Sequence, residues 1–408
     1  KLCEKDRNHL ADLSYALTTG RSHLKYQANV YLPDPTQSPE SYKSFVRFRK
    51  DDPSVKTAVL FTGQGSQYAG MGKYLYRDSW RFRQVFDICR EGFMNGFGID
   101  ISLAMDPASD DDMLDQTLFA QPSIFSLEVA LGTVLLEAGA KPDFMIGHSI
   151  GEYSAAVLSG MFTLDDAVTL VGNRAKLMQS LPTGGGMLAV NANLPDIKVI
   201  LGNFQAPFSI AAINGPEAIV LSGIKSDLQN LRKYLKEQGI KCGLLPVSHA
   251  FHSYLMEPII LTFRDIAAKI SFNRPRIPII CNLDGSFETP VMLSPQYWAD
   301  HILNTVNFME CVRTAEKEGV SRWLEIGPKE ILSKALNDIF DHRISSEWSS
   351  TAIVRDDDED FMRLCEACMN VFSSSAPIKW GAIYPSQRRA LLQEKLDVPS
   401  TISCRSKF

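Results

Sequence analysis

Two hydrophobic periods run along the chain, and the places where one gives way to the other outline the fold. "TAVLF" (57–61) is a continuous apolar run, as in a strand buried on both faces, and it leads into the glycine-rich loop "FTGQGSQYAGMG". Helical spacing follows at 78–93 and 123–138, then an apolar strand at 143–147 with small residues behind it. Strands alternating with amphipathic helices predict an α/β sheet with substantial parallel pairing. After "PTGGG" (182–186) the texture changes. "MLAVNA" reads as a strand, "PDIKVILGNF" as a helix, "FSIAAIN" and "AIVLSG" as a hairpin turned at "GPE", "SDLQNLRKYLKEQ" as a helix and "IKCGLLPV" as a strand. That order, βαββαβ, is a ferredoxin-like unit, expected as a subdomain over 185–249 with the triple glycine as its hinge. The core pattern then resumes to about 345, with strands at 277–282 ("IPIICN") and 322–327 ("RWLEIG"), so 56–184 and 250–345 form one core.

The flanks read differently. Residues 9–20 suggest a short helix ended by Gly20, 26–32 a strand, and "PDPTQSPESYKS" a linker, making 1–55 a small N-terminal α/β adapter. The stretch 346–408 has the aromatic and proline spacing of a wrapping tail. The chain opens on "KLCEKDRNHL", without an initiator Met or a secretory signal, as a piece cut from a longer protein does.

Composition narrows the function classes. At 408 residues, 45% of them hydrophobic, the chain can bury a sizeable core in more than one folding unit. A net charge of -5 and a pI near 5.9 argue against a nucleic-acid partner. No uninterrupted apolar run approaches the roughly 18 residues of a membrane span, so a soluble protein with no membrane partner is expected. The eight scattered cysteines favour free thiols in a reducing compartment, by default the cytoplasm. Cys365 and Cys368 have C-x-x-C spacing but no second pair for zinc, and read as packing residues on a helix.

Candidate chemistry centres on "MIGHSIGEYSAAVLSG" (145–160). Gly147 and Gly151 frame Ser149 in a G-x-S-x-G pattern between strand and helix, which presents a nucleophile at a sharp turn; the alternative is an ordinary turn with an idle serine. A serine nucleophile needs a base, and His249 and His252 in "VSHAFHSYLMEP" are candidates. H-x-x-H also suggests a metal, but no third ligand stands at helical spacing beside the pair. Arg174 lies on the apolar stripe of "TLDDAVTLVGNRAKLMQSLP", where Thr163 and Asp166 form a capping arrangement. An inward guanidinium needs an anion, either a remote carboxylate of the protein or one on a substrate. The glycines of "FTGQGSQYAGMG" fit neither a dinucleotide fingerprint nor a P-loop. That loop is either half of an oxyanion hole or a tight turn.

Taken together, "FTGQGSQYAGMG", "AQPSIFSLEVAL", "GHSIGEYSAAVLSG", "GNRAKLMQSLPTGGGMLAV", "NGPEAIVLSG", "SHAFHSYLMEP", "NLDG" and "LEIGPKEIL" resemble, in order from about 55 to 345, the malonyl-CoA:acyl-carrier-protein acyltransferases, and within them the acyltransferase domains of type I polyketide synthases. The resemblance implies an α/β-hydrolase-like core, a ketosynthase-to-acyltransferase linker over 1–55 and a post-acyltransferase tail over 346–408, whose end departs from the family pattern. It implies Ser149 as the acylated nucleophile and His252 as base, oriented by the backbone carbonyl of Asn282. It further implies the backbone N–H groups of Gln64 and Ile150 as oxyanion donors, and Arg174 as the grip on the malonyl carboxylate. Gln121, Phe251 and His148 are expected around the substrate, with Phe251 disfavouring an α-methyl group. No metal and no permanently bound cofactor are expected. The implied partners are malonyl-CoA, a phosphopantetheinylated acyl carrier protein and neighbouring synthase domains such as a ketosynthase.

Two rivals stand beside this reading. A serine hydrolase of esterase type orders its triad Ser, Asp or Glu, His and leaves Arg174 without a purpose. A catalytically silent docking module keeps the fold for its place in an assembly.

Overall fold

The computed structural model describes residues 55–247, 249–287, 290–340, 348–354, 360–371 and 379–382, together with the short antiparallel pair Tyr26–Gln27 and Arg49–Lys50. The helix read over 9–20, the rest of the 26–32 strand, the linker after it and the closing stretch from 383 lie outside the described residues.

The core is built on four parallel strands. β1 (Lys56–Phe61) sits at the centre and pairs with β2 (Phe144–Gly147) on one side. On its other side it pairs with a strand from near the C-terminus, Val320–Ile326, which in turn pairs with Ser349–Ala352. The apolar run of β1 is buried along almost its whole length, because helices cover both faces of the sheet. α2 (Thr117–Ala138), the short elbow helix α3 (Gly151–Ser159) and the helices Phe308–Lys317 and Leu332–Phe340 pack on the strands, while α1 (Trp80–Phe97) and α4 (Leu164–Gln179) pack on α2. α2 is long and apolar enough to cross a membrane by length and composition, yet 83% of its apolar window is buried inside this fold. It is apolar nearly all round because it has neighbours all round.

The segment after α4 forms a second sheet with its own core. β3 (Gly185–Val190), α5 (Leu194–Leu201), β4 (Ser209–Gly215), β5 (Ala218–Ile224), α6 (Lys225–Glu237) and β6 (Cys242–Leu244) follow in chain order. The strands lie antiparallel in the order β4-β5-β3-β6. Leu188, Val190, Ile219 and Leu221 from the sheet pack on Ile197, Leu228, Leu231 and Leu235 from the two helices. This sheet is tied to the parallel core at its β4 edge. There Ile213 N donates to Val306 O at 2.9 Å, Val306 N to Ala211 O at 2.9 Å, and Thr305 Oγ1 to Ile210 O at 2.6 Å.

Three expectations change. The triple glycine is no loose hinge: Gly185 and Gly186 are the first rungs of β3, and a Cβ on Gly185 would stand 2.5 Å from the Ala250 amide. Those glycines let the chain returning from the second sheet lie directly on the chain leaving for it. The 277–282 segment makes a single parallel bridge, Ile279 to Met145, in place of a full strand, because its backbone turns away into the Asn282 loop. The core continues past 345, since β7 (Val320–Ile326) is joined by β8 (Ser349–Ala352), and Leu364, Ala367 and Cys368 of the helix Asp360–Val371 enter the main core. Its serine-rich start hid β8 from a hydrophobic reading.

Candidate active site

The elbow is formed by close backbone contacts that exclude side chains. β2 ends at Gly147, where a Cβ would stand 2.1 Å from the Glu152 amide; one on Gly151 would stand 2.5 Å from the Phe61 carbonyl. Ser149 between them takes φ 53°, and His252 takes φ 54°. They are the two non-glycine residues with positive φ among the described residues. Each holds a conformation costing on the order of 1 to 3 kcal/mol. Strain at two residues that face each other marks a geometry the rest of the fold enforces.

Ser149 Oγ lies 2.7 Å from His252 Nε2, and His252 Nδ1 lies 2.9 Å from the Asn304 carbonyl. A carbonyl only accepts, so Nδ1 carries the proton and Nε2 presents its lone pair to the serine hydroxyl. Burial pushes His252 well below the ordinary imidazole range, and the charge of Arg174 and the nearby His301 and His148 push the same way. The ring is therefore neutral at neutral pH. The expected prop, the Asn282 carbonyl, does something else: it accepts from Asn307 N at 2.8 Å. The chain bends between 282 and 304, which leaves Asn304, at the end of the helix Pro295–Leu303, to face the imidazole.

Arg174 sits on α4, capped by Thr163 Oγ1, which accepts from Asp166 N at 3.1 Å. Buried Ala167, Val171, Ala175 and Met178 hold its helix face inward, and Arg174 itself is 1% exposed. Its Nη2 donates to Ser149 Oγ at 3.2 Å, and its guanidinium carbon lies 5.5 Å from the centre of the Tyr153 ring. No carboxylate among the described residues pairs with it, and Nε and Nη1 are buried without an acceptor. Burial lowers its pKa. A cation so placed is missing an anion.

Around this centre, the Gly63–Gln64 loop runs against the elbow: a Cβ on Gly63 would stand 2.9 Å from His148 Nδ1. The N–H groups of Gln64 and Ile150 donate to no acceptor among the described residues. Gln121 is 2% exposed; its Nε2 donates to Gln64 Oε1 at 3.1 Å, and its own Oε1 is buried without a donor. His148 Nε2 lies 2.8 Å from Asn214 Oδ1 on β4, which ties the elbow to the second sheet. Phe251 is buried beside His252. His249 points away, with Nε2 3.1 Å from the Leu181 carbonyl, so the H-x-x-H pair does not converge. Among the described residues no group of three or more His, Cys, Asp or Glu could hold a metal ion.

The family model for the acyl transferase domain matches residues 59–377. The chain belongs to that family. Several of its curated relatives are named as type I polyketide synthases. One, a protein of Mycobacterium tuberculosis named as a putative inactive phenolphthiocerol synthesis polyketide synthase, is 36% identical over 329 residues, covering 81% of this chain and 20% of that protein. The chain spans between 8% and 20% of the length of this and three other curated mycobacterial relatives. Among solved structures, the acyltransferase domain from the second module of the salinomycin polyketide synthase aligns with a TM-score of 0.79 at 32% identity, covering 94% of this chain and 91% of its own. An acyl carrier protein S-malonyltransferase from Vibrio cholerae aligns with a TM-score of 0.66 at 30% identity, covering 74% and 97%.

The acyl transferase site also contains residues that sequence reading missed. Glu152, fully buried in the first turn of α3, accepts from Asn282 N at 3.1 Å and from the Tyr297 hydroxyl, and His301 Nε2 lies 3.3 Å from its Oε2. Glu128 of α2, also fully buried, accepts from Thr62 Oγ1 at 2.8 Å and Ser154 Oγ at 2.7 Å, joining the root of the Gln64 loop to α3. A Glu immediately after Gly151 reads as a surface residue of a helix start. Asn304 acts through its backbone, where residue type leaves no signal.

Proposed function

We propose that this acyl transferase domain takes malonyl from malonyl-CoA as an ester on Ser149 and hands it to the phosphopantetheine thiol of an acyl carrier protein. The observation that carries the reading is Arg174: a buried cation 3.2 Å from Ser149 Oγ, with unused donors and no protein carboxylate beside it. A thioester with a free carboxylate at its far end supplies the missing charge. Gln121 Oε1, buried without a donor, is a second unfilled polar position, on a side chain that meets Met178 one turn along α4 from Arg174.

In the proposed reaction His252 Nε2 takes the Ser149 proton as Oγ attacks the thioester carbonyl. The oxyanion is held by the free N–H groups of Gln64 and Ile150, the latter at the N-terminus of α3. Collapse breaks the C–S bond, and His252 gives its proton to the departing CoA sulfur. The carrier thiol then yields its proton to His252 and attacks the ester, and the proton returns to Ser149 Oγ as the acyl group leaves. Phe251 beside the base supports malonyl over methylmalonyl, a discrimination of only ~1 to 3 kcal/mol for one methyl. In this reading the parallel core is hydrolase-like, 185–249 is a ferredoxin-like insert, and the chain works in the cytoplasm beside other synthase domains such as a ketosynthase.

Incubation with malonyl-CoA followed by intact-mass measurement and peptide mapping tests the proposal. A malonyl adduct on Ser149 that a holo carrier protein discharges supports it. Rapid release of free malonate points to a hydrolase. Wild-type protein that never gains the mass points to a silent module.

A further inference from the structure

Asn282 reaches both halves of this site, the nucleophile turn and the segment behind the base. Its side chain brackets the elbow: Oδ1 accepts from Ser149 N at 2.8 Å, and Nδ2 donates to the Gly147 carbonyl. Its main chain reaches the other half of the site: Asn282 O accepts from Asn307 N at 2.8 Å, and Asn307 Nδ2 donates to Leu283 O at 2.5 Å. Asn307 is three residues beyond Asn304, whose carbonyl holds His252 Nδ1. The Asn282 amide is fixed in turn by Glu152 Oε2 at 3.1 Å. Asn282 is fully buried, so none of these bonds competes with water.

We infer that Asn282 is a positioning residue that clamps the strained nucleophile turn and ties it to the segment supporting the base, thereby setting the Ser149 to His252 distance. The inference rests on the acyl-transfer reading above. Its chemical requirement is narrow. The side chain must accept from one backbone N–H and donate to one backbone C=O two residues apart, and among side chains of this length an amide does both. The left-handed turn at Ser149 stays in place because the two bonds across it are made; without them the serine relaxes toward ordinary φ and its oxygen moves off the imidazole.

The test compares wild type, Asn282→Ala and Asn282→Asp in malonyl-CoA acylation of Ser149. Rates are read by quenched intact mass over a range of substrate concentrations and pH, with melting temperature measured alongside. Asn282→Ala is expected to lose about 10- to 100-fold in the maximal acylation rate, with little change in the substrate concentration for half-maximal rate, because the malonyl end of the site is untouched. Asn282→Asp separates positioning from stability. As a carboxylate it sets a second acceptor against the Gly147 carbonyl; as a neutral acid its O–H donates there while the other oxygen accepts from Ser149, restoring both bonds.

Its rate relative to wild type therefore rises as the pH is lowered. Glu152, Asp284, Cys281 and Cys311 on one side, and His148, His252, His301 and Arg174 on the other, titrate or carry charge around this position. Dividing by wild type at each pH removes their shared effect. An Asp/Asn rate ratio flat in pH, or a folded Ala variant that acylates at the wild-type rate, overturns the inference, and the Asp profile decides the matter if the Ala variant does not fold. Wild type that acylates while both variants keep pace refutes the clamp alone. Wild type that never acylates refutes the acyl-transfer reading and the clamp with it.

Discussion

Replacing Arg174 by Ala should move activity and stability in different directions, and the structure gives the size of each. In a loaded site, removing the guanidinium leaves the malonyl carboxylate buried and unpaired, a loss of about 2 to 5 kcal/mol, or roughly 30-fold to several thousand-fold in loading. In the empty protein the sum is different. The change forfeits two buried methylenes at ~0.8 kcal/mol each, a hydrogen bond to Ser149 and a guanidinium–ring contact worth about 1 to 2 kcal/mol. Against that it relieves the desolvation of a fully buried cation with no counter-ion, several kcal/mol on the order of the losses. The melting temperature should stay within about 5 °C of wild type. Acetyl loading, which has no carboxylate to lose, should hold or rise. A third readout follows from His252: Arg174 is the second cause of its lowered pKa, so the acid limb of the rate profile for the Arg174→Ala variant should move to higher pH. Competitive loading from mixed malonyl- and acetyl-CoA, read by intact mass over pH and paired with thermal melts, measures all three. Equal loss for both acyl groups together with a melting drop worth about 3 to 5 kcal/mol would identify a structural arginine and refute the reasoning.

Other expectations are as definite. Because burial holds His252 neutral, wild-type kcat/KM for acylation should stay flat on descending through about pH 6.5 and fall only at more acid pH; a limb centred at or above that value contradicts the burial. Gly151→Ala places a Cβ against the carbonyls of Phe61 and Thr62 at 2.5 and 2.6 Å, backbone that cannot step aside, and should lower the melting temperature and abolish the Ser149 adduct; unchanged values would refute the contact. Burial raises Glu128 well above the carboxylate range, so the folded protein holds its proton more tightly than the unfolded chain. That contribution is complete below the unfolded value and is lost as pH climbs toward the folded one, at up to about 1.4 kcal/mol per pH unit. Glu128→Gln should thus be more stable than wild type in urea at neutral pH, with the gap closing as pH approaches the ordinary carboxylate value of 4.5; a gap constant in pH would count against it.

What could be read in the sequence, and what could not, divides along a physical line. The elbow was legible because steric exclusion writes itself into residue type: a Cβ at 147 or 151 would stand only 2.1 or 2.5 Å from a backbone atom, so only glycine fits there. The inward Arg174 was legible because helical periodicity is strict and a charge on the apolar stripe of α4 stands out. The second sheet was legible through its two changes of period. Where function passes through the main chain, residue type is silent. Asn282 and Asn304 are both asparagines in polar loops, 22 positions apart, and nothing in the letters says that one offers its carbonyl to His252 while the other spends its side chain on Ser149 and Gly147. The same holds for Glu152 and Glu128, which look like surface acids on amphipathic helices until the fold packs them at 0% exposure among hydroxyl, amide and imidazole groups. Burying two acids, yet pairing neither with the equally buried guanidinium of Arg174, is costly in a protein of marginal stability. A simple salt bridge from Glu152 or Glu128 to Arg174 would stabilise the resting fold and occupy the cation. Both acids are instead bound by hydroxyl and amide donors, which keeps them engaged and leaves the positive charge uncommitted beside the serine.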